Sequence, residues 1–91
     1  MAQVLCEISN GLRPSEATVA VGDVSGNRPF LRVDRDFLTR DGDCYYLPVG
    51  AVYDDRTRPH LLIELPHEAD SGANRLWVRR ERLRQPSKAP A

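Results

Sequence analysis

The sequence predicts a mainly β chain folded as a small antiparallel, partly open barrel of five to seven short strands, with one short C-terminal helical turn. Three observations carry this. Apolar and polar residues alternate at period two in several short runs, as strands with one buried face require. Gly, Asp, Asn and Pro interrupt these runs at close spacing, where turns need them. No segment sustains a helical period.

In chain order, Gln3–Ile8 places Val4, Cys6 and Ile8 on one side of a strand, and a loose arm is the alternative. Ser9-Asn10-Gly11 and Arg13-Pro14 end it. Ala17–Val21 is β-branched and alternating, hence a strand, and Gly26-Asn27 supplies residues that tolerate positive φ for a turn. Phe30–Asp34 follows as a strand with Leu31 and Val33 inward, and Phe37-Leu38 folds back on the core. Asp41-Gly42-Asp43 is a turn. Cys44–Leu47 is a strand that Pro48 should halt, because proline has no N–H for a central ladder. Val49–Tyr53 is then read as a helical turn or a bend, and Asp54–Pro59 as a charged connector.

The organising stretch is His60–Leu65 with Arg75–Arg79, two strands joined by the polar loop Pro66–Asn74. Leu61, Ile63 and Leu65 share a face of the first, and Leu76 and Val78 share a face of the second. Arg79–Arg84 makes a short helical or 3₁₀ turn with Leu83 reaching back to the core. Residues 1–84 therefore form one small β-barrel domain, and 85–91, small, polar and proline-rich, a disordered C-terminal tail.

The chain has 91 residues, and a domain of this size buries roughly 60–65% of its unfolded surface. That is a modest core, sufficient without staples. At this length an SH3-like, partly open barrel is the economical solution. The formal net charge of +0 excludes a polyanion-binding signature for the molecule as a whole. Lys88 is the sole lysine, an arginine bias that fits genomic base composition. Cys6 and Cys44 do not make a disulfide framework or a zinc motif. No signal-peptide pattern, lipobox or membrane-length apolar run is present. The expected compartment is the cytoplasm, with both thiols reduced.

The positions Val33, Phe37-Leu38, Tyr45-Tyr46-Leu47-Pro48-Val49 with Val52, and Leu61–Leu65 resemble a PRC-barrel or related small-barrel domain. There a strand ends in an aliphatic-Pro step, a turn follows, and another apolar strand comes next. Such barrels occur in photosynthetic reaction-centre subunits and ribosome-maturation factors, so the resemblance implies binding or assembly rather than catalysis. The matches are core positions covering about half of the chain, and no functional residue carries over. The segment 64–78 lies outside the pattern.

Three clusters are candidates. The 66–74 loop gathers His67, Glu68, Asp70, Ser71 and Asn74. It fits neither an HExxH helix nor a calcium loop, so it reads as a solvated hairpin turning at Asp70-Ser71-Gly72, or as a partner-binding loop. Trp77 lies outside between Arg75 and Arg79 if Leu76 and Val78 face the core. It then offers a stacking platform, a protein hot spot or an intramolecular cation–π contact; the opposite phase buries it. Arg75, Arg79, Arg80, Arg82, Arg84 and Lys88 form a basic cluster, either phosphate-binding or balanced by acidic turns. Cys44, in an apolar run, reads as a buried small hydrophobe.

The expected function is a non-enzymatic binding or adaptor module without cofactor, metal or catalytic residue. It would dock a protein partner, or a second copy as a homodimer, through a strand edge and the 66–74 loop, using His67, Glu68, Asp70, Asn74, Arg75, Trp77 and Arg79. The alternative is RNA binding through the Arg/Trp-rich C-terminal strand.

Overall fold

The computed structural model describes residues 2–85; Met1 and the 86–91 portion of the expected tail lie outside the described residues. The architecture is an open half-barrel of eight antiparallel strands. They are β1 (Ala2–Asn10), β2 (Glu16–Ala20), β3 (Phe30–Asp34), β4 (Thr39–Asp41), β5 (Cys44–Asp55), β6 (His60–Glu64), β7 (Arg75–Arg79) and β8 (Leu83–Arg84). Single 3₁₀ turns at Arg35–Phe37 and Arg80–Arg82 precede β4 and β8. The sheet runs β3-β2-β1-β5-β6-β7, with β4 added to β5 and β8 to β1.

The N-terminal segment is a strand, and a central one. The first half of β1 pairs β5 from Ala2↔Val49 to Cys6↔Tyr45, and its second half pairs β2 from Glu7↔Ala20 to Asn10↔Ala17. Alternation puts Val4 and Cys6 inward, and they meet Val19, Val21, Leu31, Val33, Leu47, Val49, Ile63, Leu65, Leu76 and Val78 in one buried cluster. Full burial of such an aliphatic side chain is worth about 1.5–3 kcal/mol, so this face holds the sheet curved. Leu83 and Leu38 pack against the cluster, while Phe37 stays exposed.

The long strand β5 corrects one sequence expectation. Pro48 does not halt it, and Val49–Tyr53 is strand rather than helical turn or bend. On the flank away from β1, the pairing with β4 ends at Tyr46 and that with β6 begins at Gly50. Pro48 falls in this gap, where an interrupted ladder tolerates a residue without an N–H. A bulge follows between Ala51 and Tyr53. The extra residue, Val52, reverses the parity of the strand: Ala51 opposes Ile63 of the inner face, whereas Tyr53 opposes Leu62 of the outer face.

Arginines close the periphery. Arg84 stacks on Tyr46, 3.6 Å from the ring centroid, while its Nε donates to Gln3 Oε1 (3.0 Å) and its Nη1 to Asp41 (2.6 Å). One side chain thus ties β8 to β1, β4 and β5. Arg35 donates to Pro14 O (3.0 Å) and Asn10 Oδ1 (3.2 Å), fixing the β1–β2 loop.

That loop depends on Gly11. A Cβ there would lie 2.7 Å from Glu16 Cβ and 3.0 Å from its backbone carbon. Gly11→Ala is expected to destabilise the fold by about 1–3 kcal/mol, as overpacking does. A thermal melt checks this, and an unchanged midpoint would show that the hairpin yields at no cost.

Candidate functional site

Two loops meet the two outer strands. The β6–β7 loop, residues 65–74, is pinned at its neck by the Leu65 N–H donating to Asn74 O (2.7 Å) and the Ala69 N–H donating to Ala73 O (2.8 Å). Its tip turns at Asp70-Ser71 with Gly72 at φ +85°, where a side chain would be strained. The loop then reaches across to β3. The Asp70 N–H donates to Phe30 O (2.8 Å), and Asp70 Oδ1 accepts from the Phe30 N–H (2.9 Å). His67 Nε2 lies 2.7 Å from Arg32 O and Nδ1 lies 3.1 Å from Glu68 O. Both partners are carbonyls, so in the neutral ring the shorter contact makes Nε2 the donor. Ala69 is buried in the core.

The β2–β3 loop makes the reciprocal contact. Its turn is built on Asp23, whose Oδ1 accepts from the Ser25 and Asn27 N–H groups, both at 2.9 Å. The neighbouring Val24 N–H donates to Trp77 O on β7 (2.9 Å). Between the two loops lies a cleft of about 530 Å³. Asp70 and Ser71 line it from one loop, Arg28 and Pro29 from the other, and Arg75 and Trp77 from β7.

Of the residues singled out from sequence, Asp70, Ser71, Arg75 and Trp77 converge on this cleft. His67 serves the loop-to-β3 closure, Asn74 the loop neck, and the Glu68 carbonyl lies 3.1 Å from His67 Nδ1. Arg79 sits on the outer face opposite His60.

Trp77 is outward, as Leu76 and Val78 inward require, and is 37% exposed. Its aromatic neighbour is Tyr53, edge-on at 6.1 Å between centroids and 86° between planes, rather than an arginine. Leu62 lies between them in the same cross-strand row. Above this row Glu64 pairs with Arg75 at 3.1 Å, and below it Asp55, His60 and Arg79 stand side by side. Sequence reading misses Tyr53 because it ends the strand at Pro48 and reads Val49–Tyr53 as a helical turn or a bend; the bulge that sends Tyr53 outward shows only in the pairing with β6.

Among the described residues the basic cluster is dispersed; Lys88 lies outside them. Arg75 pairs with Glu64, Arg84 with Asp41 and Arg80 with Asp54; Arg80 also donates to the carbonyls of Asp55 and Arg58, each at 3.2 Å. Arg79 and Arg82 have no carboxylate within 4.0 Å among the described residues. Asp55 has its carboxyl held below the ordinary range, first by the Thr57 hydroxyl, which donates to it at 2.6 Å. Among the described residues no group of three or more His, Cys, Asp or Glu side chains gathers to hold a metal ion. No helix there is long and apolar enough to cross a membrane.

Comparison with protein-family models, with curated proteins and with solved structures returns no match.

The two cysteines differ, and Cys44 corrects the expectation of a buried hydrophobe: it stands exposed at the start of β5, next to the Asp41–Asp43 turn. Alternation along β5, with Leu47 and Val49 inward, turns it from the core, and its register partner is Asp41 of β4. Cys6 is the buried one. Burial pushes its thiol up to about 11 from 9.0. The unfolded thiol ionises first as pH rises, so this group favours unfolding progressively between those values. Iodoacetamide at mildly alkaline pH is expected to label Cys44 alone in the native protein and both thiols in denaturant. Equal labelling of both in the native state would contradict a buried Cys6.

Proposed function

We propose that this chain is a non-enzymatic small-barrel binding module that docks a protein partner around Trp77. The carrying observation is an exposed aromatic row continuous with a cleft. Trp77 walls the cleft between the two closing loops and also forms, with Leu62 and Tyr53, an apolar strip on the outer face. Partly exposed Trp and Tyr beside Arg are the residue types that anchor protein interfaces. The candidate chemical groups nearby support binding rather than turnover. Asp23, His67 and Asp70 are engaged with backbone groups that shape the loops.

The docking surface of this reading includes the 66–74 loop through Asp70 and Ser71, with Arg75 and Trp77. The strand edges take a smaller part than the sequence suggested, since loops already bond to β3 and β7. A protein partner is favoured over RNA because three arginines of the C-terminal cluster are paired with carboxylates on three different strands. Cysteine usage fits the cytoplasm as its compartment.

Trp77→Ser leaves Leu76 and Val78 in the core and is expected to keep the fold. Proteins captured from the native lysate by the wild-type chain should be lost from this variant. Identical capture by both would overturn the reading. Single-stranded RNA at low salt should leave Trp77 emission unchanged; quenching that fades steeply as salt rises would replace protein with nucleic acid as the partner class.

A further inference from the structure

The outer face of β5, β6 and β7 is organised as three cross-strand rows. They read Gly50–Glu64–Arg75, Tyr53–Leu62–Trp77 and Asp55–His60–Arg79. The middle row is apolar and open, with Tyr53 60% and Trp77 37% exposed; Val52, at the bulge, is 40% exposed. By column, β7 presents two arginines flanking a tryptophan. β5 presents a glycine, a tyrosine and a carboxylate.

We propose that this face is covered by the same face of a second copy of the chain, across a two-fold axis running along β6. The inference rests on the reading of this face as a docking surface and names its occupant. A two-fold axis in the interface, parallel to the strands, keeps each row in place and lays β7 of one copy over β5 of the other. Trp77 then meets the partner copy's tyrosine of the same row, and Arg79 meets its carboxylate. Arg75 lies over glycine, where even an added Cβ would touch nothing nearer than Glu64 Cβ at 3.8 Å. Leu62 meets its own image on the axis. Glu64 does too, but each Glu64 is already neutralised by Arg75. His60 closes the lower row on the axis. Asp55 uses Oδ1 for the Thr57 turn, and its Oδ2 is 4.0 Å from Arg58 Nε, so it retains acceptor capacity for a second guanidinium.

The competing arrangement forms no new ion pair. A two-fold axis across the strands would lay β7 on β7, bring Arg79 over the already paired Arg75 and leave Asp55 over Gly50, so the Arg79–Asp55 contact is lost. Charge complementarity therefore selects both the occupant and the axis. An isologous contact of this kind closes on itself as a dimer rather than a fibre.

Sedimentation velocity of the full chain from micromolar to millimolar concentration tests this. The wild type is expected to pass from monomer to dimer. Arg79→Glu, which lies on the surface and leaves the core intact, should weaken self-association by roughly tenfold or more, because each reversal acts at two symmetric contacts. Asp55→Arg should do the same. An equimolar mixture of the two variants should recover a heterodimer, since every reversed charge then meets its opposite. If Asp55→Arg does not fold, Asp55→Asn keeps an acceptor for Thr57 and should still weaken the dimer. A wild type that stays monomeric throughout would overturn self-association, while the capture experiment separately decides docking of a different protein. Arg79→Glu strengthening the dimer would contradict the proposed axis. A Tyr53→Ser chain dimerising as the wild type does would show that another face is used.

Discussion

Reciprocal bonding between loops and outer strands is the constraint on which this molecule depends. An open sheet leaves unpaired N–H and C=O groups on its two outer strands. Here each outer strand is met by the loop that leads out of the opposite end of the sheet. The β2–β3 loop bonds to Trp77 O on β7, and the β6–β7 loop bonds to Phe30 and Arg32 on β3. The half-barrel is thereby drawn together without a continuous ladder between β3 and β7. Asp70 is the central member, because its N–H and its carboxylate both engage the backbone of Phe30.

The same contacts set the functional surface. Closing both loops against the outer strands leaves a cleft between them and positions Trp77 as its wall. The backbone of Trp77 is held by Val24 while its indole remains partly exposed. One residue thus links stability and recognition: its carbonyl belongs to the closure and its side chain to the surface. The bulge in β5 completes this surface by turning Tyr53 outward beside it.

Much of the strand framework was legible because it is local. Alternation alone put Ile63 and Leu65 on one face of β6, and Leu76 and Val78 on one face of β7 with Arg75, Trp77 and Arg79 on the other; which face of β7 meets the core came only from the packed sheet. Turn chemistry located Asp41–Asp43 and Asp70–Gly72, where Gly42 and Gly72 take positive φ. What escaped was set by partners distant in the chain. Whether Pro48 breaks a strand depends on where β4 and β6 stop along β5. The outward turn of Tyr53 depends on one extra residue in one strand. Arg84 looked like part of a basic run, yet it stacks on Tyr46 and binds Asp41, residues some forty positions away. His67 and Asp70 looked like free loop chemistry because the β3 backbone they reach is equally remote in sequence.

Native-state amide exchange, read residue by residue, tests the closure most directly. If the loops hold the half-barrel together, the amides of Val24, Phe30 and Asp70 exchange slowly, with the core amides of β1 and β5, through global unfolding. Exchange of these three at the rate of the exposed Ser71 amide would contradict the account, and would mean that the sheet stands open without its loops.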